Sequence, residues 1–110
     1  DLFYQMLDKL VGNAVDFSYS ERKIQINLFI RENNIILQVI NYGPRLSKNM
    51  TDELFNSMVS VRDKRTNVDP HLGLGLFIAK LIAEFHGGII SAANLTEDEG
   101  VCFSIKIKIF

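Results

Sequence analysis

Apolar residues fall at positions 2, 3, 6, 7, 10, 11, 14 and 15, a helical period held over four turns. From 23 to 31 the period drops to two, with Ile24, Ile26, Leu28 and Ile30 on one face. Glu32-Asn33-Asn34 makes a turn and 35–40 reads as a second strand, so the pair is a hairpin. A short helix is expected over 47–55. Residues 56–71 carry many charges, a proline and little periodicity, which predicts a long loop of the kind that is usually functional. Leu74, Phe77, Ile78, Leu81, Ile82 and Phe85 mark a further helix, stopped by Gly87-Gly88. Residues 89–93 and 101–110 form a final hairpin across 94–100. Its last strand sets Val101, Phe103, Ile105, Ile107 and Ile109 on one face. Strands grouped into hairpins, with helices between them, predict an α+β two-layer sandwich, a sheet with helices on one face.

The 110 residues suit one domain, 1–110, and a hydrophobic content of 47% supplies a core and excludes disorder. Twelve Lys and Arg against 13 Asp and Glu give a net charge of −1. That balance offers no electrostatic case for a nucleic-acid or membrane-surface binder. The single cysteine, Cys102, forbids an internal disulfide and cannot make a zinc site, and it reads as a small buried side chain in a reducing compartment. The apolar stretch 73–85 is broken by Lys80 and is too short to span a bilayer. No signal peptide is visible, and residue 1 already lies inside a helical pattern, so a piece of a longer chain is expected.

Gln5, Lys9, Asn13 and Asp16 are spaced to share one stripe of the first helix, opposite the apolar face, with Gly12 beside them. A glycine inside a helix costs roughly 0.5–1 kcal/mol relative to alanine, so close approach of something to the backbone is one reading. A solvated face with one tolerated glycine is the other. His71-Leu72-Gly73-Leu74-Gly75-Leu76 places two glycines at a helix start, where free N–H groups and the helix dipole favour an anion. A dinucleotide fingerprint is a poor match, because no strand runs into this turn and Ile78 stands where the third glycine belongs. A phosphate loop of the Gly-Lys-Ser/Thr type is absent, and glycines that merely allow close helix packing remain an alternative. Asn41-Tyr42-Gly43-Pro44 is turn chemistry by default.

The order and spacing of these groups resemble the ATP-binding catalytic domain of sensor histidine kinases, within the ATPase superfamily that includes gyrase, a chaperone and mismatch-repair proteins. Gln5-Met-Leu-Asp-Lys-Leu-Val-Gly-Asn13-Ala14 resembles the N box, and Asn41-Tyr-Gly43-Pro44 stands in the place of the first glycine box. Leu54-Phe55-Asn-Ser-Met-Val-Ser-Val-Arg62 is similar to the F box. Gly73-Leu-Gly75-Leu-Phe-Ile-Ala-Lys with His86-Gly-Gly88 is similar to the second glycine box and the end of its helix. The resemblance implies a Bergerat-type fold, a mixed, mostly antiparallel sheet of about five strands under three helices. The family's first strand would lie upstream of Asp1, so four strands or a displaced edge are expected.

The resemblance also implies the chemistry. ATP and Mg²⁺ are the expected cofactors, with Asn13 as the metal ligand and Lys9, Asn13 and Arg62 as catalytic residues. Asn13, Asp16, Asn41, Gly43, Phe55, Gly73, Leu74, Gly75 and Leu76 would bind the nucleotide. Asn41 would accept from the adenine amino group, Gly43 would let the base approach the backbone, and Gly73 and Gly75 would offer N–H groups to the phosphates. Arg62, or in its place Lys64 or Arg65, would clamp the triphosphate. The γ-phosphoryl would pass to a histidine on a separate dimerisation domain, with a response regulator downstream; His71 and His86 are not acceptors. This piece is expected to be monomeric, cytoplasmic and not itself membrane-bound, its parent anchored in the bacterial inner membrane.

Five residues depart from the family pattern. Lys9 stands where asparagine or glutamate is usual and Asp16 where lysine is common, as if the charges were exchanged, so that Lys9 would serve the phosphates. Asn41 keeps an acceptor without the usual aspartate charge. Arg45 and His71 replace glycines at hinge positions. An anti-sigma-factor-type serine kinase, or a degenerate module that binds nucleotide as a switch, are the alternatives.

Overall fold

The computed structural model describes residues 1–47 and 70–109, and in 70–74 the backbone alone. Helix α1 spans Leu2–Phe17, strand β1 Gln25–Arg31 and strand β2 Asn34–Asn41. Helix α2 spans Pro70–Phe85, strand β3 Gly88–Asn94 and strand β4 Val101–Lys108. The side chain of Asp1 caps α1 by accepting from the Phe3 N–H at 2.9 Å. Glu32 and Asn33 both take positive φ, 52° and 63°, which is the two-residue hairpin turn whose twist matches its strands. Gly87, at φ 73°, ends α2 in the left-handed conformation that favours glycine. His86 also stops that helix, with its Nδ1 donating to the Ile82 carbonyl at 2.8 Å.

The four strands pair antiparallel in the order β1-β2-β4-β3, so the second hairpin joins the first through its last strand, which lies between β2 and β3. Register sets Leu37 opposite Ile105 and Val39 opposite Phe103. These face a core built from Met6, Leu10 and Ala14 of α1 and Leu76, Ala79, Ile82 and Ala83 of α2. The two helices pack against each other, α1 over β2 and α2 over β3. The sandwich and the four strands are as the sequence predicts. Every strand pair among the described residues is antiparallel, and the helix expected over 47–55 lies outside them.

Three differences concern position rather than type. The face of α2 that reaches the core is Leu76, Ala79, Ile82 and Ala83, while Leu81 and Phe85 of the expected stripe are exposed. An almost wholly apolar helix has no polar side to orient it, and the small residues win the core because they let the helix approach the sheet. Ile26, Leu28 and Ile30 do lie on the core side of the sheet, opposite Val39, Leu37 and Ile35, yet they are half to two-thirds exposed because β1 is an edge strand beyond the helices. Helix α2 also starts at Pro70, inside the expected loop. Proline suits a first helical position, where its missing N–H costs nothing.

Candidate functional site

Asn13 is the central residue. It is one of four buried positions on α1 and is only 7% exposed, so the polar stripe does not oppose the apolar face. It borders that face, at the seam with α2, while Gln5, Lys9 and Asp16 are exposed. The Nδ2 of Asn13 is buried with no hydrogen-bond partner among the described residues. A buried donor left unpaired costs about 1–3 kcal/mol, so the atom asks for an acceptor. Across the seam is Gly75. A Cβ at that position would stand 3.7 Å from Asn13 Oδ1, 3.8 Å from its Nδ2 and 3.9 Å from Lys9 Cδ. Glycine at 75 therefore places no side chain of its own over the Asn13 amide, with the Lys9 stem alongside. Gly12 is exposed, with nothing described within 4 Å of its Cβ position.

One turn further along α1 the helix meets the end of β2. Asn41, 2% exposed, sits on the core face opposite Val101. A Cβ at Gly43 would collide with the Phe17 carbonyl oxygen, so the protein itself uses the space this glycine leaves. The Tyr42 carbonyl accepts from the Tyr19 N–H at 2.8 Å and from the Ser18 hydroxyl at 3.3 Å. From Lys9 to Phe17, α1 thus forms one wall about 12 Å long, at 1.5 Å per residue. It joins the amide at the α1–α2 seam to the buried amide ending β2.

The β3–β4 loop closes the Asn41 end. Gly100 packs directly on the Asn41 carbonyl and the Tyr42 Cα. Asn94 grips Leu46: its Oδ1 accepts from the Leu46 N–H and its Nδ2 donates to the Leu46 carbonyl, both at 2.8 Å. Nothing in the sequence reading marked Asn94 or Gly100. The only signal was an asparagine at a strand end and a glycine before an apolar run, both of which turn chemistry explains. Outside this cradle, Arg22 pairs with Asp98 at 2.8 Å and lies over the Tyr42 ring at 4.4 Å. Tyr19 donates to Glu99 at 2.9 Å, and Arg45 donates to the Asp98 carbonyl at 3.3 Å. The hydrogen bond from Arg22, then that from the Glu99 N–H, holds the Asp98 carboxyl below its ordinary range. The bond to Glu99 raises the Tyr19 hydroxyl.

The structure brings together Lys9, Asn13 and Gly75, and separately Asn41 and Gly43. Asp16 is on α1 but exposed. Leu76 is fully buried in the core cluster, so its side chain is a packing residue rather than a lining of the site. Gly73 and Leu74 lie in the second turn's backbone of α2. Because α2 begins at Pro70, the N–H of Gly75 falls within the intrahelical ladder and the free N–H groups are those nearer residue 71. What Gly75 leaves at the seam is the space of a missing side chain. Phe55 and Arg62, with Lys64 and Arg65, lie outside the described residues.

No group of three or more His, Cys, Asp or Glu that could cage a metal occurs among the described residues. A Mg²⁺ that keeps phosphate and water ligands needs only one or two protein oxygens. The Asn13 amide, with an oxygen for a cation and an orphaned N–H for an anion, fits such an ion–phosphate pair. No described helix is long and apolar enough to cross a membrane.

Comparison with known proteins agrees with this geometry. Residues 1–109 match the family described as histidine kinase-, DNA gyrase B- and HSP90-like ATPase. The sensor protein KdpD of Escherichia coli K12 is 32% identical over 106 residues, covering 96% of this chain and 12% of that protein. The sensor protein VanSC of Enterococcus gallinarum is 29% identical over 103 residues, covering 94% of this chain and 28% of its own length. Among solved structures, the nucleotide-free catalytic domain of the histidine kinase ThkA superposes with a TM-score of 0.80 at 28% identity, covering 97% of this chain and 67% of that one. The chain spans between 10% and 33% of the length of the curated relatives it matches. With the N-box asparagine at the helix seam, the antiparallel sheet and a match over 1–109, the chain belongs to the histidine kinase-, gyrase B- and HSP90-like ATPase family, as a sensor histidine kinase ATP-binding catalytic domain.

Proposed function

We propose that this chain binds Mg·ATP along the α1 wall and supplies the γ-phosphoryl to a histidine on a separate dimerisation domain of a longer two-component sensor kinase, with a response regulator downstream. The observation that carries the reading is the Asn13 amide, buried with an unpartnered N–H beneath Gly75. Bound there, Mg²⁺ would supply charge neutralisation for the β- and γ-phosphates. Asn13 would hold the ion through Oδ1 and offer Nδ2 to a phosphate oxygen. Lys9 places its ammonium beside the same phosphates, in the role that Asp16 cannot fill, and Asp16 lies at the rim. Asn41 accepts from the adenine amino group. Phe55 and Arg62 complete the base cover and the phosphate clamp, and Gly73 and Leu74 pass their backbone close to the phosphates. In the transfer, the bond from γ-phosphorus to the bridging oxygen breaks, a phosphorus–nitrogen bond forms at the acceptor imidazole, and ADP leaves.

Calorimetric titration of the 110-residue chain with ATP, with Mg²⁺ and then with chelator, tests this reading, with GTP as the control. Magnesium-dependent binding that prefers ATP and collapses in Asn13→Ala is expected. Equal affinity in a folded Asn13→Ala protein would refute the metal assignment. A folded wild-type chain that binds no nucleotide refutes the whole reading.

A further inference from the structure

The segment that leaves β2 must carry Asn41 in a fixed pose and then depart from the sheet. Pro44 has no N–H to give, and the described contacts from Pro44 to Leu46 are few: Arg45 reaches the Asp98 carbonyl at 3.3 Å from an exposed position. Asn94 supplies the remainder. It ends β3 on the core face, opposite Val101, which is itself opposite Asn41. Its half-buried carboxamide makes both main-chain hydrogen bonds of Leu46, 48 residues away in sequence, as one residue of a neighbouring strand would.

The same loop closes on itself through the Leu95 N–H to the Gly100 carbonyl at 2.9 Å, and Gly100 then packs against Asn41 and Tyr42. One loop therefore touches the segment at both ends, at 41–42 through Gly100 and at 46 through Asn94. Between these points Tyr42 and Gly43 are held from α1, by Tyr19, Ser18 and Phe17. Removing the Asn94 carboxamide takes away both main-chain bonds of Leu46, so beyond the α1 contacts and Gly100 the path is held only by the exposed Arg45 bond to the Asp98 carbonyl, and the segment that follows Asn41 loses its outer anchor.

We infer that Asn94 is a positioning residue for base recognition, holding through Leu46 the pose in which Asn41 meets the purine edge. This rests on the nucleotide-pocket reading above. Side-chain amides that make two bonds to one residue's main chain fix direction as well as distance, which a single bond does not. The consequence falls on selectivity. A purine carrying an amino group at the recognised edge depends on Asn41's pose, whereas phosphate contacts near Asn13 do not.

The test is calorimetry of wild type, Asn94→Ala and Asn94→Ser with Mg·ATP and with Mg·GTP, beside amide hydrogen exchange at Leu46 and the thermal midpoint without nucleotide. Asn94→Ala should bind ATP about tenfold more weakly while its GTP affinity stays within about twofold, so the preference for adenine collapses. Asn94→Ser, whose shorter hydroxyl can recover only part of the pair, should fall between. Leu46 exchange should accelerate in both. A loss of stability that lowers affinity for both nucleotides equally would mark Asn94 as structural only and overturn the inference. So would ATP affinity and preference equal to wild type with Leu46 exchange accelerated. If Asn94→Ala does not fold, Asn94→Ser decides by the same criteria. A wild-type chain that binds no ATP overturns the pocket reading and this inference together, whereas a selective wild type with unaltered variants overturns this inference alone.

Discussion

Substituting Gly75 by alanine separates the two reasons a glycine can stand at the α1–α2 seam. The added methyl meets the Asn13 amide at 3.7 and 3.8 Å and Lys9 Cδ at 3.9 Å, all ordinary van der Waals contact, and Gly75 has no positive φ. The variant therefore pays no steric penalty. Replacing glycine by alanine inside a helix gains roughly 0.5–1 kcal/mol. The site is buried, so the methyl adds a further fraction of the ~0.8 kcal/mol of a buried methylene. A net gain of about 1 kcal/mol should raise the melting midpoint by about 4 °C in a domain of this size. Binding should move the other way, because the methyl fills the gap over the only buried unpartnered amide nitrogen among the described residues. A loss of at least tenfold in Mg·ATP affinity, about 1.4 kcal/mol, is expected. Gly12→Ala, at an exposed helical glycine with open space around it, calibrates the helix term of stability. Thermal melts followed by circular dichroism, and calorimetry on the same samples, read both quantities. A Gly75→Ala chain that is more stable and binds ATP as before would show that the glycine serves packing only. A chain that is less stable would show that the seam is tighter than these distances allow.

Gly43→Ala should behave oppositely, since its methyl runs into the Phe17 carbonyl; overpacking of this kind costs about 1–3 kcal/mol, and a melt within 1 °C of wild type would contradict the contact. The Asp98 carboxyl, held low chiefly by the Arg22 hydrogen bond, favours the closed loop above the ordinary carboxylate range and releases it as pH falls through the lowered value. Carbon-detected titration should therefore show Asp98 moving up toward ordinary values in Arg22→Ala, and no change would remove Arg22 as the cause. Tyr19 has the opposite sign: its raised hydroxyl keeps the bond to Glu99 at neutral pH and loses it as pH rises through the raised value. Ultraviolet titration of the Tyr19 phenol against Glu99→Gln checks that direction.

The elements were legible because their periods are long and clean. Eight apolar positions over four turns leave no strand alternative for α1, and the alternation in β4 names the face that Val101, Phe103 and Ile105 do bury. Period reports a face but not what covers it. Ile26, Leu28 and Ile30 alternate as well as the residues of β4, yet an edge strand puts them in solvent. Asn13 could be singled out by its neighbours in sequence, but its burial could not, because only the packing of α2 against α1 decides which flank of the apolar face is covered. Asn94 and Gly100 were invisible for a different reason. Their partners, Leu46 and Asn41, lie 48 and 59 residues away, and a side-chain bond to main chain leaves no trace in the identity of the residue it grips.

The location of the site follows from the way the core is closed. Gly75, Ala79 and Ala83 recur every four residues along α2 and all are buried, a row of small side chains on one line of the helix. Over most of its length the row lets α2 settle onto β3 and against α1, and Gly88 at the start of β3 packs under its end, with the Ala83 carbonyl 3.1 Å from where its Cβ would be. At the end near Gly75 the side chain shrinks from methyl to hydrogen, and the residue facing it across the seam changes from apolar to Asn13. A core that continued to that end would place alanine opposite leucine and leave no unpaired amide. The chain instead gives up about 1 kcal/mol of helix propensity at 75 and leaves a buried donor unmatched at 13. Both costs fall within one contact of each other, and a bound phosphate oxygen would recover the second of them.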